Sequence, residues 1–169
     1  MKTGKYPADG ELAPAAHHTT HESGGTDEIK DMELDNAPGA DDTGSGLVTI
    51  GTVGETVAAG EVLYLYNDGK YYKALATAEA TMPGKVLAMA AITANNAGKL
   101  LHLGYFRHDA WGFTMGDGIA NLLYVDKTTG GLVTQTAPGA AGDQVQVIGY
   151  CITDDEIFFN PCLELVEIA

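Results

Sequence analysis

Short apolar runs, each closed by a glycine-containing turn signal, constrain this chain more than any other feature. They recur from residue 47 to the C-terminus and are rich in β-branched and aromatic residues, and the chain has 22 glycines in 169 residues. Many short strands at regular spacing are typical of a β-sandwich or barrel. We therefore predict an all-β fold, a small glycine-rich barrel or sandwich. The predicted strands are 47–53, 61–66, 71–74, 86–92, 99–106, 121–125, 132–136, 145–152, 156–159 and 163–168.

Two stretches predict similar β-hairpins. Asp68-Gly69 lies between the runs 61–66 and 71–74, and Gly130-Gly131 lies between 121–125 and 132–136. Glycine supplies the positive φ angles that a tight hairpin turn requires. Only residues 74–82 have a helical pattern, and Pro83-Gly84 would end that helix.

The first 46 residues differ in composition from the rest. They carry 10 of the 23 acidic residues, 3 of the 9 basic ones and one of the 13 aromatic residues. Such a stretch buries too little apolar surface to offset the entropy lost on ordering. We predict an extended acidic N-terminal arm over 1–46 and a β-barrel or sandwich domain over 47–169.

The charge balance disfavours nucleic acid and anionic membranes as partners. The net charge is −14, and Arg107 is the only arginine. A phosphate-binding surface needs clustered Lys and Arg, and the same holds for an anionic lipid surface. No run reaches the roughly 18 apolar residues that span a bilayer, and the N-terminus has no apolar signal-peptide core. These features predict synthesis in a cytoplasm.

The residues give little support for catalysis. Ser23 and Ser45 are the only serines, and neither lies in a nucleophile-elbow motif. Cys151 and Cys162 lack the spacing of a metal clip, and a buried free thiol is expected at Cys151. The acidic run 154–156 lacks the ligand spacing of a calcium loop and predicts a solvated turn. We expect a non-enzymatic protein with no organic cofactor.

A histidine tract, His17, His18 and His21, lies within the predicted arm. In a monomer it would be solvent-exposed. In a trimer, one histidine per chain on the threefold axis would bring three imidazoles together, and these could bind a divalent transition metal.

Several segments resemble virion structural proteins of tailed bacteriophages. The arm segment HTTHESGGTDEI over 18–29 is similar to a motif of tail-fibre and other virion proteins, H-x-x-x-H-x-x-G-G-x-D-E-I. The segments GETVAAGEVLYL (54–65), DGKYYKA (68–74), GDQVQVIG (142–149) and FFNPCLELV (158–166) resemble a domain of phage head and fibre proteins. The resemblance implies a trimeric β-structured protein exposed on the particle, made in the host cytoplasm and without catalytic activity.

The short length favours a capsid decoration (cement) protein that binds the major capsid protein, because no fibre shaft is visible. A short tail fibre or spike for host receptor binding is the alternative. In the decoration protein, the arm would bridge neighbouring subunits through Tyr6, Leu12, His17, His18, His21, Ile29, Met32 and Leu34. In the fibre, the recognition surface would consist of Arg107, His108 and Trp111, since Arg and Trp are common in binding hot spots. The alternative for Trp111 is a position in the core or in a trimer interface.

Overall fold

The computed structural model describes residues 34–169, which form one compact unit. The all-β prediction is confirmed for this part of the chain, which has no helix of seven or more residues. The two short helices are 3₁₀ turns at Glu79–Thr81 and Gly118–Asn121. No helix among the described residues is long and apolar enough to cross a membrane.

The described residues form eleven strands, numbered in chain order. The strands are β1 (Thr43–Thr52), β2 (Val62–Leu65), β3 (Tyr71–Lys73), β4 (Val86–Ala88), β5 (Ala97–Arg107), β6 (Leu122–Val125), β7 (Val133–Thr134), β8 (Gln144–Val145), β9 (Val147–Cys151), β10 (Glu156–Phe159) and β11 (Val166–Glu167).

Nine of these strands form one antiparallel sheet, and β5 is its central strand. The sheet order is β3-β2-β4-β5-β10-β9-β6-β7, with β1 also paired to β5. β1 covers β5 along its whole length, from Thr43 opposite Arg107 to Thr52 opposite Ala97. Two strands share the other edge of β5. The strand β4 pairs with Leu100 and Leu101, and β10 pairs with residues 104–107. The strands β8 and β11 pair separately.

The sheet curls into a half-barrel because its two end hairpins meet. The predicted hairpins are confirmed as β2–β3 and β6–β7, and they occupy the two ends of the sheet. Gly131 donates its N–H to the carbonyl of Ala74 and accepts the N–H of Val62, at 2.7 and 2.8 Å. The N–H of Ala76 bonds to the carbonyl of Asp126. These backbone bonds link the two sheet ends where no strand ladder joins them.

One half of the sheet is buried on both faces. Leu100 and Leu101 are consecutive residues of β5, both fully buried, yet they belong to different apolar clusters. Consecutive strand residues point to opposite faces. The larger cluster contains Phe106 and Phe159, and the smaller contains Val53 and Ile92. Burial on both faces explains why the apolar runs of β4 and β5 are nearly continuous rather than alternating.

The structure differs from several element predictions, and the predicted strands 86–92 and 163–168 are reduced to the shorter β4 and β11. β1 begins at Thr43, so it crosses the predicted arm–domain boundary at 46/47. Gly44 and Gly46 lie against β5, where a Cβ would collide with the Tyr105 and Leu103 carbonyls. The close approach of β1 and β5 leaves no room for a side chain at these two positions. Glycine is therefore required within the strand here and does not mark a turn.

The predicted strand 145–152 is divided between β8 and β9, because the chain changes partner from β11 to β6 and β10 at Gln146. Residues 74–82 contain the 3₁₀ turn Glu79–Thr81 but no α-helix, since the carbonyls of Ala74 and Ala76 accept the N–H groups of Gly131 and Gln144 and not those of residues 78 and 80.

Most of the predicted arm contacts lie outside the described residues. These are Tyr6, Leu12, His17, His18, His21, Ile29 and Met32, and with them the threefold metal site. Leu34 is half-buried in the irregular segment that precedes β1.

Candidate functional site

An aromatic row crosses the outer face of the sheet. Tyr105 on β5 lies opposite Phe158 on β10, with ring centroids 4.9 Å apart, and Phe158 lies opposite Tyr150 on β9, at 5.5 Å. Their chain neighbours Phe106 and Phe159 are fully buried, so the row points away from the larger core. Tyr150 is 44% exposed, and Tyr105 and Phe158 are half-buried.

Aliphatic residues extend this row toward β1. Leu103 lies two residues before Tyr105 on β5 and pairs with Leu47 on β1. Both leucines are exposed, Leu47 by 59%. We call Leu47, Leu103, Tyr105, Tyr150 and Phe158 the outer ladder. Apolar side chains that lie together on neighbouring strands indicate an interaction site, whereas single exposed ones are common on any protein surface.

The strand β1 is a sheet edge with no second strand partner within the described part of the chain. Among residues 34–169, its only strand partner is β5. Thr43–Thr52 contains no charged residue and no proline, and Ile50 is 68% exposed. Monomeric proteins usually protect such edges with charge, proline or short strands, because a free edge can pair with another chain.

A groove of about 440 Å³ opens beside Trp111, at the predicted recognition segment 107–111. Its walls come from the turn 58–61, the loop 108–113 and residues 132–135 around β7. The Trp111 ring packs against Phe106, Phe113 and His108, with centroid distances of 6.0, 5.3 and 5.3 Å. Trp111 is therefore partly a core residue, yet it still lines the groove. The volume lies within the range of small-ligand sites.

The structure brings together two of the three predicted recognition residues. His108 and Trp111 both line the groove, whereas Arg107 is held by carboxylates. Its Nε donates to Asp109 at 2.7 Å, and an Nη lies 3.0 Å from Asp155. The hydrogen bond to Asp109 raises the pKa of Arg107 above its ordinary value. Arg107 thus anchors the loop beside the groove.

Two carboxylates that the sequence assigned to the arm contact His108, one of the residues that line the groove. The Nδ1 atom of His108 lies 2.6 Å from Oδ1 of Asp42 and 3.6 Å from Oδ1 of Asp41. Asp41 also accepts the N–H of Asp109. These contacts span more than sixty residues of sequence, so no local pattern could have predicted them.

A third carboxylate, Glu61, lies in the wall of the groove. Its Oε1 pairs with Nζ of Lys73 at 2.9 Å, and its Oε2 accepts the N–H of Ala58. Glu61 is thereby largely buried and charge-balanced, unlike Asp41 and Asp42, which are half-exposed. Glu61 is the first residue of the predicted strand 61–66, and this apolar strand pattern does not indicate a functional site.

The atoms of Asp41, Asp42 and His108 that could bind a metal ion lie within 4.8 Å of one another. A carboxylate and imidazole set can hold a divalent cation. Exposed acidic groups are common without one, and Nδ1 of His108 is already bonded to Asp42. We therefore assign no metal here.

Both cysteines are free thiols, Cys151 buried and Cys162 exposed, as expected for Cys151. In the acidic run 154–156, Asp155 pairs with Arg107 and Glu156 is buried, so only part of this turn is solvated.

No family model matches the chain, and no curated protein matches it. The resemblance to bacteriophage virion proteins thus stays a prediction.

Proposed function

We propose that this chain is a non-enzymatic virion structural protein of a tailed bacteriophage, a decoration protein that binds the outer surface of the head. Its partners would be the major capsid protein and further copies of itself, as a homotrimer. The protein would be made in the host cytoplasm and would end on the capsid surface. The observation that carries the proposal is the outer ladder lying beside the edge of β1, which has no second strand partner among residues 34–169.

The ladder and edge support a role in assembly. The chain has a net charge of −14, yet Thr43–Thr52 and the five ladder residues carry no charge. Burying apolar surface drives association without directional demands, and a free strand edge adds main-chain hydrogen bonds to a partner. An acidic remainder would keep the free protein soluble at high copy number.

Sedimentation with capsids that lack this protein tests the proposal. Wild-type protein should pellet with the capsids, whereas Leu47→Lys combined with Tyr150→Lys should stay in the supernatant. Both positions are exposed, so the variant should melt as the wild type does. Ala80→Lys/Ala141→Lys, two exposed positions off the ladder, would be the control with the same charge change of +2.

Retained capsid binding by the ladder variant, with normal folding, would place the capsid contact elsewhere. Failure of the wild type to bind capsids at all would contradict the decoration role itself.

A short tail fibre or spike that binds a host receptor is the second candidate. The Trp111 groove favours it, because a concave site with an aromatic wall suits recognition of a small group. Binding of the isolated protein to host cells, lost in a Trp111 variant, would support this function over capsid decoration.

A further inference from the structure

We propose that the Trp111 groove is a receptor for one cationic side chain, Arg or Lys, presented by a partner polypeptide. The inference goes beyond capsid decoration, because it concerns a different surface from the outer ladder and holds for whichever protein presents the cation. Three features of the groove support it: an aromatic wall, a glycine that brings a turn against that wall, and an excess of negative charge.

The aromatic wall is Trp111, whose position is fixed by its neighbours. The ring meets Phe106 and His108 edge-on, at 63° and 76°, and lies tilted by 40° on Phe113. Contact on several sides leaves the half-exposed indole little freedom to rearrange. Tryptophan is the best cation–π partner, since its ring face attracts an ammonium or guanidinium within about 6 Å.

Gly60 lies directly against this aromatic wall. Its φ is +76°, and a Cβ placed there would lie 3.0 Å from Cζ2 of Trp111 and 3.6 Å from His108. A side chain at residue 60 would therefore be strained and would press on the indole ring. The glycine lets the turn 58–61 lie in contact with Trp111 and His108, which helps to hold both rings in place at the groove.

The charge of the surrounding side chains selects the ligand. Five carboxylates (Asp41, Asp42, Glu61, Asp109 and Asp155) are linked to groove residues or their neighbours, against the two cations Lys73 and Arg107. Without His108, the formal charge of these seven side chains is −3. Asp41 and Asp42 are the carboxylates with no Lys or Arg partner among the described residues. Such a field attracts cations and repels anionic ligands.

The test uses the full-length protein and the fluorescence of Trp111, the only tryptophan in the chain. The probes are a short capped peptide, acetyl-Gly-Arg-Gly-amide, its Lys version, and a version with neutral citrulline in place of Arg. We expect a saturable fluorescence change with the Arg or Lys peptide. The citrulline peptide should bind at least about fivefold more weakly, the value of one cation–π contact with added charge attraction.

Two variants make the test specific. Asp41→Asn/Asp42→Asn should weaken binding of the cationic peptide about fivefold or more, whereas Asp117→Asn, an exposed acid elsewhere, should leave it unchanged. The asparagines keep an oxygen that can accept the bonds of His108 and Asp109, so the fold should survive. Trp111→Leu, followed by calorimetry, should abolish binding. If it does not fold, Trp111→Tyr should weaken binding while retaining an aromatic ring.

Equal binding of the Arg and citrulline peptides would overturn the inference. So would a saturable response to neutral oligosaccharides alone, which would instead indicate a glycan site. Loss of peptide binding on chelation with EDTA would also overturn it, since the carboxylates would then act through a metal. Because the assay needs no capsid, its outcome is separate from that of the sedimentation experiment.

Discussion

The side chain of Gln146 pairs with the backbone of Gly84 in both directions. Its Oε1 accepts the N–H of Gly84 at 2.8 Å, and its Nε2 donates to the Gly84 carbonyl, also at 2.8 Å. The same Nε2 also bonds to the carbonyl of Cys162. Gln146 is 1% exposed, so its amide replaces a strand partner in the interior, between the chain segment before β4 and the segment after β10.

Gln146→Leu should lower the free energy of unfolding by about 3 kcal/mol, because it leaves buried backbone groups without partners. Urea denaturation with a far-ultraviolet signal measures the change. Gln146→Glu keeps the acceptor for Gly84 and removes the donor, so it should also destabilise. A Leu variant as stable as the wild type would mean that water or a rearranged backbone satisfies these groups.

Gly149→Ala should destabilise the fold by at least about 2 kcal/mol. Residue 149 has a φ of +148°, and a Cβ there would overlap the carbonyl oxygen of Phe158 on β10. The conformation is one that L-residues rarely adopt, and the obstacle is backbone rather than a flexible side chain. Gly139→Ala is the matched control, since that site is open and has no positive φ, and it should change stability by less than about 0.5 kcal/mol.

The two thiols should react at very different rates. Burial raises the pKa of the Cys151 thiol, which lowers the thiolate fraction as well as the access of reagent. In the folded protein at pH 8, an aromatic disulfide reagent should therefore titrate Cys162 quickly and Cys151 only after denaturant is added. Cys162→Ser should remove the fast phase, and a fast phase that persists in this variant would contradict the buried position of Cys151.

Asp143 should make stability depend on pH in the acidic range. The backbone N–H of Ala140, at 2.7 Å, and then Nζ of Lys127, at 3.0 Å, hold the pKa of this carboxyl below its ordinary value. A lowered pKa stabilises the fold above the unfolded-state pKa, near about 3.9, and this contribution is lost as the pH falls through the folded-state pKa.

Asp143→Asn should therefore have a lower free energy of unfolding than the wild type at pH 7. The difference between the two should disappear below about pH 4. Urea denaturation across pH 2 to 7 measures it, with Asp117→Asn, whose side chain caps no backbone group, as the control. A gap that stays constant down to pH 2 would show that the charge of Asp143 is not the cause.

Local patterns were enough to predict where most strands lie and the two hairpins. The turn Asp68-Gly69 lies where the sequence placed it, and Gly69 has a φ of +79°. Apolar runs identify strands because each strand buries side chains in its own segment. The extent of β1 was not predictable in this way, since it depends on contacts with β5 about fifty residues away.

The candidate surfaces were only partly visible in the sequence. Trp111 and His108 are neighbours in the chain and were expected to lie together. Asp41 and Asp42 were assigned to the arm because their own segment is polar, and only the long-range pairing of β1 with β5 carries them to His108. The outer ladder needs the register of β5, β10 and β9, which no single run reveals.

The copy number of this protein in purified virions tests the central proposal most directly. Quantitative mass spectrometry would compare its peptides with those of the major capsid protein. The decoration role predicts hundreds of copies in a simple ratio to the capsid subunits, because each copy occupies an equivalent surface position. A handful of copies, in a multiple of three, would contradict decoration and indicate a tail spike or fibre.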